Sequence, residues 1–191
     1  MSDTPESPAP SAREKIIRAT LDTIAREGLE GTTMRRVALN AGLSVGAITH
    51  HFPNREALLI DAMNQYTDDT VERFNSYFED VHDLQSAREA VVQLLSAPAR
   101  SRLDMVVGSE LYTISLRRPR FRLLLDRWTR ASRDIMLRYF TQDSVYIIDA
   151  LYEGLLLHRR MNLGEYTDDL ITAAVESLTP PEKYIGPTHS S

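Results

Sequence analysis

Apolar residues recur every three or four positions along most of this chain, and no segment alternates apolar and polar residues for the length of a strand. The three-to-four spacing places apolar side chains on one face of an α-helix, whereas a half-buried strand needs a spacing of two. Glycines, prolines and capping residues divide the pattern into about nine segments. The sequence therefore predicts an all-α protein of about nine helices.

Composition narrows the class of protein further. The 191 residues include no cysteine, which excludes a disulfide framework, a thiolate zinc site and a cysteine nucleophile, and fits a reducing compartment. The first residues form neither a basic start nor an apolar run, and no 18 uncharged apolar residues stand together, so we expect neither a signal peptide nor a membrane-spanning helix. The expected location is the cytoplasm.

Local capping residues predict where the helices begin and end. Ser11 and Glu14 form a capping box at the start of helix one, and Gly28 supplies its left-handed stop. Asn54 caps a fourth helix that runs to about residue 80, residues 86–89 (SARE) cap the fifth, and Thr167 opens the ninth. Helices six to eight are expected over about 100–117, 119–140 and 143–161. Residues 1–10 and 180–191 are predicted to be flexible tails.

Two short amphipathic segments between Thr33 and Phe52 are joined by the turn 42–44 (GLS). Gly42 turns the chain where a side chain would clash, Ser44 caps the second segment, and Thr32 or Thr33 caps the first. This is the geometry of a helix-turn-helix, although a helix pair with a glycine turn also occurs in other all-α proteins. Val45, Ile48 and Phe52 are expected to anchor the second helix, which leaves Gly46, Ala47, Thr49 and His50 facing outward.

Positive charge is concentrated around this helix pair. The whole chain has a net charge of −5, but residues 31–55 contain Arg35, Arg36 and Arg55 and no acidic residue. Residues 56–191 hold 15 basic and 21 acidic residues. Such a local basic surface is suited to contact DNA phosphates, while the small residues on the second helix allow close approach to base edges.

Residues 33–58, TMRRVALNAGLSVGAITHHFPNREAL, closely resemble the DNA-binding domain of the TetR family of bacterial transcriptional regulators. The resemblance is strong over about residues 11–59 and extends beyond them only in helix count and length. The chain departs from the family at residues 49–51, where Thr-His-His replaces the usual tyrosines, and Arg55 replaces the usual lysine. The resemblance implies DNA contacts by Thr33, Arg35, Arg36, Ser44, Val45, Gly46, Ala47, Thr49, His50, His51 and Arg55.

The resemblance also implies a helix-turn-helix domain at residues 11–56 and a ligand-binding and dimerisation domain at residues 57–179. It implies a homodimer that binds a pseudo-palindromic double-stranded operator and is released by a small-molecule effector of unknown identity, most simply as a repressor. The alternatives are a helical-bundle enzyme and a scaffold dimer that does not bind DNA. An activator would share the same DNA-binding domain.

Aromatic and methionine side chains on the inward faces of helices four to seven are candidates for an effector pocket. Each of them taken singly is more often an ordinary core residue, and Glu110 is more often paired with an arginine. The candidate pocket residues are Met63, Tyr66, Phe74, Tyr77, Met105, Glu110, Tyr112, Trp128 and Met136.

Helix eight is apolar on nearly all sides over residues 145–157, apart from two acids. A helix of this kind is either central to its own domain or meets a partner, and we favour the partner. Gly154 would allow a close helix approach. The expected dimer interface residues are Ile148, Leu151, Tyr152, Gly154, Leu155 and Ala174.

We expect no metal site and no cofactor. His50 and His51 are adjacent on a helix, so their side chains diverge, and no further ligand lies three or four residues away. The chain has no glycine-rich phosphate loop and no convincing catalytic triad, which argues against an enzyme. The arginines between residues 117 and 133 are interpreted as a solvated face paired with acids, in preference to a second DNA contact.

Overall fold

A computed structural model of the protein describes residues 11–187, and regular structure in that range is almost entirely helical. Nine α-helices and two 3₁₀ helices, at Ala97–Arg100 and Pro181–Lys183, are accompanied by one isolated bridge between Phe140 and Tyr184. The prediction of an all-α fold is confirmed. The α-helices are α1 (Ala12–Gly31), α2 (Met34–Ala41), α3 (Val45–His51), α4 (Arg55–Ser76), α5 (Leu84–Ser96), α6 (Arg102–Ser115), α7 (Pro119–Met136), α8 (Gln142–Arg160) and α9 (Asp168–Leu178).

The chain divides into two units between Ala62 and Met63, so that α4 begins in the first unit and ends in the second. The sequence predicts this boundary after residue 56. The first turns of α4 belong to the first unit because Leu58 and Leu59 are buried, and because Asp61 forms an ion pair of 2.6 Å with Arg13 of α1.

Short-range caps shape the first unit as the sequence predicted. The Ser11–Glu14 capping box is formed in both directions, and Thr33 is the residue that caps α2. Gly42 adopts the left-handed conformation (φ 65°, ψ 33°) at the end of α2. Gly28 has a positive φ of 72° but a ψ of 177°, and helical structure continues to Gly31. Gly28 therefore interrupts the regular helix where the sequence predicted its stop, although its ψ is not that of the left-handed region and a further helical turn follows to Gly31.

The second unit is built around α5 to α9, with α6 packed on α7 and α8 and with α5 packed on α9. An ion pair of 2.9 Å links the half-buried Arg73 of α4 to the buried Asp104 of α6. Two predicted boundaries are corrected here. Asp83, and not a residue of 86–89, caps α5, because its carboxylate accepts from the Ser86 amide in a capping box three residues earlier. Helix α4 ends at Ser76 and not near residue 80.

The segment after α9 is ordered by contacts with the turn that follows α7. The Thr141 amide donates to the Lys183 carbonyl at 2.9 Å, and the Ile185 amide donates to the Tyr139 carbonyl at 2.8 Å. The prediction of a flexible tail from residue 180 is therefore wrong for residues 180–187. The remaining predicted tail residues, 188–191 and 1–10, lie outside the described residues. Between residues 11 and 187, no helix is long and apolar enough to cross a bilayer.

Candidate nucleic-acid interface and internal cavity

The outward face of α3 is positioned by local hydrogen bonds and two buried side chains. The Ser44 hydroxyl accepts from the Ala47 amide at 3.1 Å, which fixes the start of the helix. Ile48 and Phe52 are buried in the first unit, as predicted. Val45 is 42% exposed, so its predicted role as a core anchor is wrong. It opens α3 directly after the turn and lies on the surface with the residues that the resemblance places at DNA.

The remaining residues of this face are small or carry rings. Gly46, Thr49, His50 and His51 are exposed, and Ala47 is half-buried. The Thr49 hydroxyl donates to the Gly46 carbonyl at 3.0 Å, so its methyl group and the lone pairs of its oxygen are left to contact another molecule. The His50 and His51 rings meet edge to face with centroids 5.3 Å apart. We call this surface, residues 45–47 and 49–51, the α3 face.

The three arginines of residues 31–55 occupy different environments. Arg35 is exposed, and no hydrogen bond or ion pair joins it to another residue of the described chain. Arg36 pairs with Glu27 of α1 at 3.4 Å. Arg55 is half-buried and donates from Nε to the Thr32 carbonyl at 2.5 Å and from Nη2 to the Leu29 carbonyl. Arg55 therefore caps the carboxyl end of α1, whereas Arg35 is free to bind a phosphate.

The other two predicted DNA-contact residues are helix caps. The Thr33 hydroxyl accepts from the Arg36 amide at 3.2 Å, and Ser44 acts in the same way at α3. Both residues remain exposed. They can contact a phosphate while they keep the first turn of each helix in place.

The second unit contains a small void between α4, α5, α6, α7 and α8. Its volume is about 10 Å³. Four of the predicted pocket residues lie on its wall, namely Phe74, Tyr112, Trp128 and Met136. The sequence did not identify the other five, Leu94, Thr129, Ser132, Asp149 and Tyr152. We call this space the Trp128 void.

A larger cleft of about 610 Å³ is open to solvent beside the void and shares Tyr112 and Thr129 with it. The lining of the cleft is mixed, because Arg122, Arg130 and Glu153 stand beside Leu116, Leu125 and Leu157. Tyr112 and Thr129 therefore separate an open space of mixed polarity from a more enclosed and mainly apolar one.

Aromatic rings surround Trp128. Its ring centroid lies 5.8 Å from that of Tyr66, 5.9 Å from Tyr112 and 6.3 Å from Tyr152. The Phe74 ring meets Tyr152 edge to face at 5.5 Å. Five aromatic residues thus form one cluster, which was predicted as separate pocket candidates except for Tyr152.

Other predicted pocket residues do not line either space. Glu110 forms an ion pair of 2.8 Å with Arg160, as the alternative interpretation expected. Met63 and Tyr66 are buried in packing, and Tyr77 and Met105 are half-buried elsewhere in the unit. Spacing along a helix identifies which side chains face inward, but it cannot say which of them border a gap.

Two acids of α8 face the same region. The Asp149 carboxylate is held by Arg133 at 2.6 Å, yet burial raises the pKa of Asp149 more than this pairing lowers it. Burial also raises the pKa of Glu153, and the neighbouring Asp149 raises it further. Among the other arginines between residues 117 and 133, Arg122 pairs with Asp126 and Arg127 with Asp68 at the surface. These two pairs agree with the solvated-face interpretation, whereas Arg133 pairs with a buried acid.

Two buried polar atoms in residues that line the void have no hydrogen-bond partner among the described residues. They are Nε1 of Trp128 and the hydroxyl oxygen of Tyr152, in side chains of residues only 3% and 4% exposed. Buried polar groups in proteins are nearly always paired, so each of these atoms requires an explanation.

The surface of α8 differs from the predicted dimer interface. Ile148, Tyr152 and Leu155 are buried within the single chain, because α8 packs against α5, α6 and α7, so these three assignments are wrong. Leu151, Gly154 and Ala174 are partly exposed. The large apolar side chains exposed on these two helices are Tyr146 and Ile147 on α8 and Leu170 on α9.

Known proteins resemble the chain in both sequence and structure. Residues 16–62 match the sequence profile of bacterial regulatory proteins of the tetR family. The HTH-type transcriptional regulator BetI 1 of Chromohalobacter salexigens is 29% identical over 163 residues, which are 78% of each chain. The crystal structure of SCO7518 of Streptomyces coelicolor A3(2), described as a transcriptional regulator, is 37% identical with a TM-score of 0.79 and is matched over 90% of this chain and 99% of that one.

A more distant similarity concerns a protein with a known ligand. The multidrug binding protein EbrR in complex with ethidium is 20% identical, with a TM-score of 0.73, over 90% of this chain and 99% of that one. At this level of identity the similarity shows a shared fold and nothing more.

Proposed function

The chain belongs to the TetR family of bacterial regulatory proteins and is a DNA-binding transcriptional regulator, and we propose that it is a homodimeric cytoplasmic repressor released from its operator by a small molecule. Each subunit inserts its α3 face into a major groove. The two recognition helices lie about one helical turn of DNA apart, roughly 34 Å, or somewhat more. The relatives named above are regulators, which favours this function over an enzyme.

The observation that carries the proposal is the α3 face. It consists of exposed small and polar side chains on a helix whose opposite side is anchored by Ile48 and Phe52. Arg35 adds a guanidinium with no protein partner among residues 11–187. Small residues permit close approach to the bases, the Thr49 methyl suits a thymine methyl, and Arg35 suits a phosphate.

The homodimer is proposed from the apolar surface of α8 and α9. Tyr146, Ile147 and Leu170 are exposed there, and the half-exposed Leu151, Gly154 and Ala174 remain from the predicted interface. A symmetric pairing of this surface would cover apolar side chains that water otherwise contacts. It would also supply the two-fold axis that a pseudo-palindromic operator requires.

Effector release is proposed from the cleft and the Trp128 void of the second unit, and it is supported by the ligand-bound state of EbrR. A ligand shifts the DNA-binding equilibrium only if it binds one conformation more tightly than the other. The expected coupling is about 1–3 kcal/mol. Helix α4 is the element through which we expect it to act, because its residues belong to both units.

The test is a titration of fluorescent duplexes from upstream of the protein's own gene and its neighbours, followed by anisotropy at several salt concentrations. We expect one duplex to bind with an affinity that falls steeply as salt rises. In the Arg35→Ala variant, which removes one phosphate contact, the slope of log affinity against log salt concentration should be about one unit shallower. A sedimentation experiment on the same samples measures whether two subunits bind each duplex. Salt-insensitive or absent binding to every duplex would refute the regulator.

A further inference from the structure

The unpaired donors at the Trp128 void point to the chemistry of the effector. Trp128 Nε1 can only donate a hydrogen bond, and the Tyr152 hydroxyl has a proton to donate. Both are buried, and neither has an acceptor within the described chain. The folded protein already carries the free-energy cost of burying these two donors without partners. A ligand that accepts hydrogen bonds from them therefore gains affinity.

The shape of the void restricts the ligand as well. Rings of Phe74, Tyr112, Trp128 and Tyr152 border it together with Leu94 and Met136, so its walls favour a flat, mainly apolar molecule. At about 10 Å³ the void holds about one water molecule. A larger ligand must therefore displace side chains, including Phe74 of α4.

The charges around the void favour an uncharged ligand. Asp149 borders the void, but its carboxylate is already paired with Arg133 at 2.6 Å. An organic cation would find no unpaired carboxylate on this wall, and an anion would be repelled by Asp149. Glu153 borders the open cleft and not the void.

We infer that the effector is a neutral, planar, largely apolar molecule with a carbonyl-type oxygen, which enters between Tyr112 and Thr129 and accepts hydrogen bonds from Trp128 Nε1 and the Tyr152 hydroxyl. This inference rests on the proposed effector-responsive function and specifies its ligand. The ligand displaces Phe74 of α4, the helix whose first residues belong to the first unit, and so it favours the conformation that does not bind DNA.

The test uses the full-length protein and three rigid probes: 9-fluorenone, its carbonyl-free counterpart fluorene, and the cation N-methylacridinium. Trp128 is the single tryptophan of the chain, so its fluorescence reports on this site alone. We expect fluorenone to quench Trp128 and to bind about tenfold more tightly than fluorene, as one to two hydrogen bonds provide. N-methylacridinium should bind more weakly than fluorenone.

Two variants test whether the preference for fluorenone over fluorene depends on the hydrogen-bond donors of Tyr152 and Trp128. Tyr152→Phe, which removes only the hydroxyl, should weaken fluorenone binding about three- to tenfold and leave fluorene binding unchanged. Trp128→Phe also removes ring volume, so it is followed by calorimetry and should lower the ratio of fluorenone affinity to fluorene affinity. Because the Tyr152 hydroxyl is unpaired in the free protein, Tyr152→Phe should not lower the melting temperature. The matched control is Tyr139→Phe, whose buried hydroxyl donates to the Phe78 carbonyl at 3.1 Å. It should lower the melting temperature and leave the preference for fluorenone intact.

Equal affinity for fluorenone and fluorene, tighter binding of the cation, or an unchanged preference in both donor variants would overturn the inference. The last result would mean that an ordered water satisfies the two donors. The duplex titration needs no ligand, so it distinguishes a wrong effector class from a wrong assignment as a DNA-binding regulator. A protein that binds its duplex but has no preference for fluorenone refutes only the effector class, whereas a protein that binds no duplex refutes the regulator.

Discussion

The α3 face and the Trp128 void are built in opposite ways. The α3 face lies within seven residues on the surface, and its side chains are small or polar and mostly exposed. The void lies among five helices, and each residue on its wall also packs the core of the second unit. A binding surface of the first kind can change without loss of stability, whereas changes at the second alter binding and folding together.

The largest effect on stability is expected inside the second unit, at the Arg73–Asp104 pair. Arg73→Met leaves the buried Asp104 carboxylate without its cation, and this should lower the free energy of unfolding by about 3–5 kcal/mol. Chemical denaturation measures the loss. The control is Arg127→Met, because Arg127 and Asp68 are both exposed and their pair should contribute at most about 1 kcal/mol. Equal losses in the two variants would contradict the contrast between core and surface.

A change on the α3 face should abolish DNA binding without any loss of stability. A side chain at Gly46 fits the folded protein, since its Cβ would lie 3.7 Å from the Ser44 Oγ. Gly46→Glu places a carboxylate against the groove and should weaken duplex binding about 100-fold or more. Gly46→Ala tests size without charge and should have a much smaller effect. A melting temperature well below that of the wild type in Gly46→Glu would show that this face is packed inside the protein.

Substitutions of two arginines in the first unit should have different effects, one on stability and the other on DNA affinity. Arg55→Ala removes the donors to the Leu29 and Thr32 carbonyls and should lower the stability of the first unit by about 1.5–3 kcal/mol. Arg35→Ala should leave stability unchanged and weaken binding to all duplexes by a similar factor. Thermal unfolding and anisotropy on both variants measure the two effects. The contrast fails if Arg35→Ala destabilises the protein as much as Arg55→Ala does.

The smallest effect concerns Glu153 and depends on pH. Burial and Asp149 raise the pKa of Glu153 in the folded protein, so its ionised form reduces stability above that pKa. As the pH falls through the folded pKa, the carboxyl becomes protonated and this loss disappears. Glu153→Gln should therefore raise the melting temperature at pH 7.5, and its advantage should shrink toward pH 4. Glu176→Gln, on the exposed side of α9, should have no such pH-dependent effect.

The first unit was largely predictable because its geometry depends on neighbours in sequence. The caps at Ser11, Thr33 and Ser44 and the left-handed Gly42 each require only residues within one turn. Val45 and Arg55 were assigned less well. Their environments are set by the turn before α3 and by carbonyls more than 20 residues away at the end of α1.

The second unit was predictable in helix number but not in the position of its cavity. Phe74, Tyr112, Trp128 and Met136 were identified because large apolar residues at helical spacing face inward. Asp149 was missed since its partner Arg133 lies 16 residues away on another helix. Tyr152 was assigned to the dimer interface, because periodicity cannot distinguish a helix side that faces its own core from one that faces a partner.

The most direct test of the central claim is a selection from a random double-stranded DNA library at low ionic strength, with the wild-type protein and the Gly46→Glu variant in parallel. If the α3 face reads the major groove, the wild type will enrich a motif with two related half-sites and the folded variant will enrich none. Enrichment of no motif by the wild type, or of the same motif by both proteins, would contradict the account.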